Sequence, residues 1–183
     1  MGLSIAMKIN FPLLALAVGA FAIGTTEFSP MGFLPEIAND LSVSIPQAGL
    51  LISAYAVGVM IGAPLMTLWL ARFPKKTALI LLMAIFTIGN VLATVAPDYM
   101  SLMGARLITS LNHGAFFGLG SVVAASVVPK DKQASAVAMM FMGLTIRNHL
   151  GGKFADLSLE KTLIGFLVLL MVMMLVFPVL AQT

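Results

Sequence analysis

Four stretches of this sequence run for more than twenty residues without a charged side chain: Leu41–Ala71, Thr77–Pro97, Leu107–Pro129 and Thr162–Thr183. A helix rising 1.5 Å per residue needs roughly 20 apolar residues to cross the hydrocarbon core of a bilayer, so each stretch is long enough to span one. A fifth apolar run, Ile9–Thr26, is followed at once by Glu27. With 9% charged and 60% hydrophobic residues and a mean hydropathy of +1.07, the chain is far from the roughly 25% charge of a soluble domain. Lipid offers no hydrogen bonds to the backbone, which leaves helices or closed barrels as spanning structures. No ten-residue alternating segments point to a barrel. The expected fold class is all-α, a polytopic membrane helix bundle of five to six spans, and the expected location is a multi-pass position in the cell (inner) membrane.

The first helix is expected at about Phe11–Leu34, as a retained span and not a cleaved signal, because no small-residue cleavage site follows a short apolar core. The loop PEIANDLSVSI follows. Helix two is expected from Ser44 to about Leu70, with Ser44 and Gln47 at capping-box spacing. Helix three covers about Thr77–Ala96 and helix four about Ser101–Val128. Basic groups fall in ARFPKK and PKDK, after the even-numbered helices, while Glu36, Asp40 and Asp98 lie after the odd-numbered ones. Positively charged loops stay in the cytoplasm, so the N-terminus, ARFPKK and PKDK are expected inside. Residues 1–132 thus form a four-helix unit. Residues 133–152 are a short fifth segment: only 14 uncharged residues separate Lys132 from Arg147, a length more often interfacial or re-entrant than spanning. Residues 153–183 hold a loop-like motif and a last helix at about Thr162–Ala181, and the side on which the tail ends is left open.

Polar groups inside such spans are candidates for function by default. Glu27 lies roughly 24 Å along the first helix at 1.5 Å per residue, in the outer third of the core. Burial disfavours the charged form of a carboxylate, so this group is placed to exchange a proton wherever water reaches it. Arg106 falls at a similar depth in helix four, and Arg106, Thr109, Ser110 and His113 share one helical face. That face is expected to line a cavity with Glu27, since a lipid-facing arginine is costly. Tyr55, Asn90, Asn112 and His113 are candidates for a substrate wall. Gly58 with Gly62, and Gly114 with Gly118, have the spacing that lets helices approach closely. No His and Cys set has metal spacing and no Ser-His-Asp arrangement or phosphate-cradling loop is present, so neither metal nor enzymatic chemistry is expected. The chain has no cysteine. The net charge of +3 is confined to short loops and speaks to orientation instead of nucleic acid.

The segments GAFAIGTTEFSPMGFLPEIANDLSVS, GAPLMTLWLARFPKKTALI, GARLITSLNHGAFFGLGSVVAASVVP and AVAMMFMGLT together resemble the N-terminal half of a major facilitator superfamily exporter, of the drug/proton antiporter branch that includes arabinose- and sugar-efflux permeases. The resemblance implies a proton-coupled efflux transporter with no cofactor beyond the proton gradient, in which Glu27 is the protonation site and Arg106 assists proton transfer. Arg72, Lys75 and Lys76 match basic positions of the loop between helices two and three, with Ala71 where the family carries aspartate. Gly152 and Asp156 match a second copy of that loop motif, of the kind found after helix eight. The expected consequence is a chain joining the start of helix five to the end of helix eight. Its partners would be the lipid bilayer, a small-molecule substrate and a second copy of the chain in a homo-oligomer; the alternative is a truncated fragment that does not transport.

Overall fold

The computed structural model describes residues 10–154, with side chains through Leu144. Among these residues the helices are α1 (Phe11–Gly32), α2 (Leu34–Asp40), α3 (Ile45–Leu70), α4 (Lys75–Thr94), α5 (Tyr99–Ser110), α6 (His113–Ser126) and α7 (Gln133–Phe154), with a 3-10 turn at Lys130–Lys132. Four stretches are long and apolar enough to cross a membrane: α1, α3, α4 and the 28 residues Tyr99–Ser126 that α5 and α6 share. The fold is an all-α membrane helix bundle.

Each start has a local cause. The Asn10 side chain accepts from Leu13 N at 3.3 Å, and Ser44 Oγ accepts from Gln47 N at 3.3 Å. Both satisfy donors that the first turn of a helix leaves unpaired, and both helices carry proline in their first turn, where a missing N–H costs nothing. Asp98 and Ser101 form a reciprocal capping box at α5.

The fourth span lies between α3 and α4, and α1 is flanked by α6 and α7. Leu16, Ile23, Leu79, Leu82, Phe86, Phe116 and Met140 are fully buried at the centre. Close approach depends on glycine at several places. A methyl group on Gly62 would meet Leu111 Cα at 2.6 Å, and one on Gly143 would collide with the Ala17 carbonyl of α1. Gly58 abuts Ser110 and Gly114 abuts Ala63, whereas Gly118 faces open space. The second glycine pair is therefore a packing contact at one end only.

Charge is segregated along the bundle axis. The Asn10 amide donates to Val127 O at 3.2 Å, and Phe73 and Val128 pack on the core cluster that contains Leu70 and Ala78. These contacts bring the start of α1, the α3–α4 turn and the 3-10 turn to one end, where the described residues include Arg72, Lys75, Lys76, Lys130, Lys132 and the acid Asp131. At the other end Tyr99 Oη donates to Gln47 O at 2.8 Å, and Glu36, Asp40 and Asp98 lie there.

Three features differ from the sequence reading. The loop after the first helix contains α2, which carries Glu36 in its first turn, where an acid favours the helix dipole. It ends in a Schellman-type turn: Val43 N donates to Ala38 O at 2.9 Å, Ser42 N to Asn39 O at 3.1 Å, and Ser42 holds φ 52°. Helix four is interrupted at Leu111–Asn112. There the Thr109 and Ser110 hydroxyls bond back to the carbonyls of Arg106 and Leu107, at 2.8 and 2.7 Å, while the Asn112 amide donates out of the helix to Leu82 O at 3.0 Å. Such side-chain bonds compete with the helical ladder. Segment 133–152 is part of α7, which rises beside α1 as far as the contact of Leu144 with Gly24 and continues as helix through Gly152 to Phe154. Asp156 and the helix expected at Thr162–Ala181 lie outside the described residues.

Candidate functional site

The site is built on one irregularity of α1. Pro30 lies inside this helix and has no N–H to give to the carbonyl four residues back, that of Thr26. Arg106 takes it instead: its Nη1 donates to Thr26 O at 2.8 Å. The Thr26 hydroxyl donates to Asn90 Oδ1 at 3.2 Å, and Asn90 Nδ2 donates to Phe86 O at 2.8 Å. Arg106 thereby links α5 to α1, and Thr26 links α1 to α4.

Above this anchor, the Arg106 guanidinium carbon stands 4.6 Å from the centre of the Tyr55 ring, a cation–π contact worth about 2 kcal/mol where water is excluded. Arg106 is 6% exposed, and its Nε and Nη2 are buried without hydrogen-bond partners. Tyr55 Oη lies 3.1 Å from His113 Nδ1, and the same Nδ1 lies 3.8 Å from Glu27 Oε2. The Glu27 carboxylate is also within electrostatic reach of Arg106 and Tyr55. Glu27, His113, Tyr55, Arg106 and Thr26 thus form one continuous polar array across three spans.

The array has an exposed end and a buried end. The side chain of Glu27 is 28% exposed and that of His113 is 15% exposed, whereas Tyr55 is 2% exposed. With Nδ1 unprotonated, His113 accepts from Tyr55. With Nδ1 protonated, it faces the carboxylate as a charge-assisted donor, so one proton changes which neighbour the ring serves. His113 also tilts against Phe117 at 5.1 Å, and Phe117 stacks on the exposed Phe141 at 5.1 Å.

Arg106, Thr109 and Asn90 line a cavity of about 280 Å³ whose wall includes Phe33, Ile37 and Leu41 at the α2 end; Glu27 is not in its lining. Arg106 thus borders this cavity while its guanidinium reaches the freed Thr26 carbonyl. Asn112 is fully buried as a tie to α4, with Oδ1 unpartnered. It is not in the lining of that cavity. The sequence reading passed over Thr26 and Pro30, although a proline four residues after a threonine in an apolar helix marks an unpaired carbonyl. In the loop, Arg72 stands 5.4 Å from the ring centres of both Trp69 and Phe73, and Lys75 and Lys76 form the first turn of α4. No cluster of three potential metal ligands occurs among the described residues.

A family model described as Major Facilitator Superfamily matches residues 16–183. The inner membrane transport protein YdhP of Escherichia coli K12 is 72% identical over 157 residues, which cover 86% of this chain and 40% of that protein. The chloramphenicol resistance protein of Streptomyces lividans is 34% identical over 76% of this chain and 36% of its own length. A probable sugar efflux transporter of Pasteurella multocida Pm70 is 31% identical over 76% of this chain and 34% of its own length. The chain spans 40% or less of the length of these relatives.

Proposed function

Because the chain belongs to the Major Facilitator Superfamily, we propose that it is a proton-coupled secondary transporter of the inner membrane that exports a small molecule such as a sugar or drug. The observation that carries this reading is the part-exposed Glu27 carboxylate 3.8 Å from His113 Nδ1, backed by a buried cation. A proton arriving on Glu27 or His113 weakens or strengthens their attraction, and the array transmits that change to Tyr55 and Arg106, hence to the contacts of α1 with α3 and α5. The names of the relatives, one a sugar efflux transporter and one a resistance protein, support export of a small molecule. The proton gradient is the energy source, and no other cofactor is required.

Transporters of this architecture rock two halves around a shared site. A chain spanning 40% of YdhP supplies one half, and a second copy supplies the opposing wall. The same 40% share supports a second reading, a fragment that folds in the bilayer without transporting. The full chain is reconstituted into liposomes, and uptake of labelled chloramphenicol and of a labelled pentose is followed with and without an imposed pH gradient. Gradient-dependent flux that falls at least tenfold in Glu27→Gln is expected. Equal flux in both proteins removes Glu27 from the mechanism, and no flux from either favours the fragment.

A further inference from the structure

The outer surface of α3 and the turn that follows it are unused by the transport array. Val57, Ile61, Leu65 and Leu68 are 48%, 49%, 58% and 75% exposed. With 100° per residue they fall within one narrow stripe. The stripe extends for roughly 16 Å at 1.5 Å per residue, about the depth of a bilayer leaflet, and it ends one turn before the basic face of the bundle. There Arg72 is held against two aromatic rings, Trp69 and Phe73, at 5.4 Å each. Trp69 is itself 42% exposed, as suits an indole at the membrane surface. Lys75 is exposed one turn further on, and no acid occurs between residues 41 and 97. An arginine docked on aromatic rings loses less freedom when it binds a phosphate with its planar fork.

From this juxtaposition we propose that the α3–α4 turn is a binding site for an anionic glycerophospholipid: Arg72 and Lys75 take the phosphate, Trp69 packs at the glycerol level, and an acyl chain lies along Leu68, Leu65 and Ile61. Two observations favour a lipid over a second copy of the chain. Helix pairs in membranes meet through small residues, and beside this stripe those of α3, Gly58, Gly62 and Ala63, are already used against the fourth span, leaving bulky side chains outward there. Two copies inserted in the same orientation would also bring like charges at Arg72 and Lys75 together, which opposes association.

Trp69 is the sole tryptophan of the chain, so its fluorescence reads this site directly. The full chain is placed in phosphatidylcholine vesicles containing equal fractions of either phosphatidylglycerol or phosphatidylcholine brominated high on the acyl chain. Bromine on phosphatidylglycerol is expected to quench Trp69 several-fold more effectively. The preference falls about fivefold at most for each cation removed in Arg72→Gln and Lys75→Gln, and it persists in the double variant Lys130→Gln/Lys132→Gln, whose charges lie at the same end. Circular dichroism confirms that each variant keeps its helices, and Lys75→Gln serves if Arg72→Gln does not fold. Equal quenching by the two lipids overturns the proposal, as does an equal loss of preference in the Lys130/Lys132 variant, which makes the effect one of general surface charge. Inorganic phosphate, matched in ionic strength by chloride, is expected to leave the preference intact; its loss to phosphate alone assigns the site to free phosphate. Shielding of Trp69 from both brominated lipids, with cross-linked dimers through cysteine at Leu65, assigns the stripe to a second copy.

Discussion

Arg106 Nη1 donates to the carbonyl of Thr26 at 2.8 Å, an acceptor that is open because Pro30 cannot supply the helical N–H one turn later. A buried guanidinium is thereby held against α1. Glu27, the next residue, stays part-exposed and 3.8 Å from His113.

Restoring the missing donor tests this arrangement. In Pro30→Ala the new N–H competes with Arg106 for Thr26 O. Thermal unfolding in detergent is expected to show stability unchanged or raised, since proline inside a helix is disfavoured by up to about 3 kcal/mol relative to alanine. Transport in liposomes is expected to fall several-fold. An unaltered flux would show that Arg106 needs no such anchor.

Tyr55→Phe keeps the ring beneath Arg106 and removes the hydroxyl that meets His113 at 3.1 Å. The loss of one buried hydrogen bond costs about 1 kcal/mol, seen as a lowered unfolding midpoint, and flux is expected to fall by less than in Glu27→Gln. A loss as large as that of Glu27→Gln would place the hydroxyl itself in the proton path.

Glycine contacts predict opposite results in neighbouring helices. Gly62→Ala drives a methyl into the Leu111 backbone and is expected to destabilise by about 1–3 kcal/mol. Gly118→Ala enters open space and is expected to change stability by no more than about 0.5 kcal/mol. Thermal unfolding of both in one detergent decides.

Charge segregation predicts orientation. In a chain without native cysteine, Asp98→Cys is expected to react with an impermeant maleimide in intact spheroplasts, and Lys130→Cys only after lysis. The reverse pattern would invert the bundle.

Asp98 accepts from Ser101 N at 2.9 Å, and this backbone hydrogen bond, chiefly, holds its carboxyl below the ordinary value of 3.8 against a small opposing effect of burial. A group lowered in the folded state stabilises it above the unfolded value and loses that contribution as pH falls through the folded one. Asp98→Ala is therefore expected to lower the unfolding midpoint at neutral pH, with the difference closing as the medium is acidified below 3.8. A gap independent of pH would remove the cap from the account.

Span length, the charge of the loops and the candidacy of Glu27, Tyr55, His113 and Arg106 for one polar site were all readable along the chain. They depend on local quantities: twenty apolar residues suffice for a helix to cross lipid, loop cations bias insertion, and an ionisable group inside a span needs a polar neighbour. The split of helix four and the α2 cap were less visible because each depends on short-range competition between side chains and backbone, at Thr109, Ser110 and Asn112 in one case and at Ser42 in the other.

Which neighbours those groups would find was settled only by three-dimensional packing. Helical periodicity places Arg106 and His113 on one face but does not say that the first turns to Thr26 and the second to Glu27 and Tyr55, nor that Asn112 leaves the site to hold α4. Those choices follow from how closely α3 meets α5 and α6 at Gly58, Gly62 and Gly114, and from where Pro30 leaves a carbonyl open. A bilayer rewards any apolar surface alike, so composition determines that the helices insert, whereas steric fit and the pairing of a few polar atoms determine how they meet.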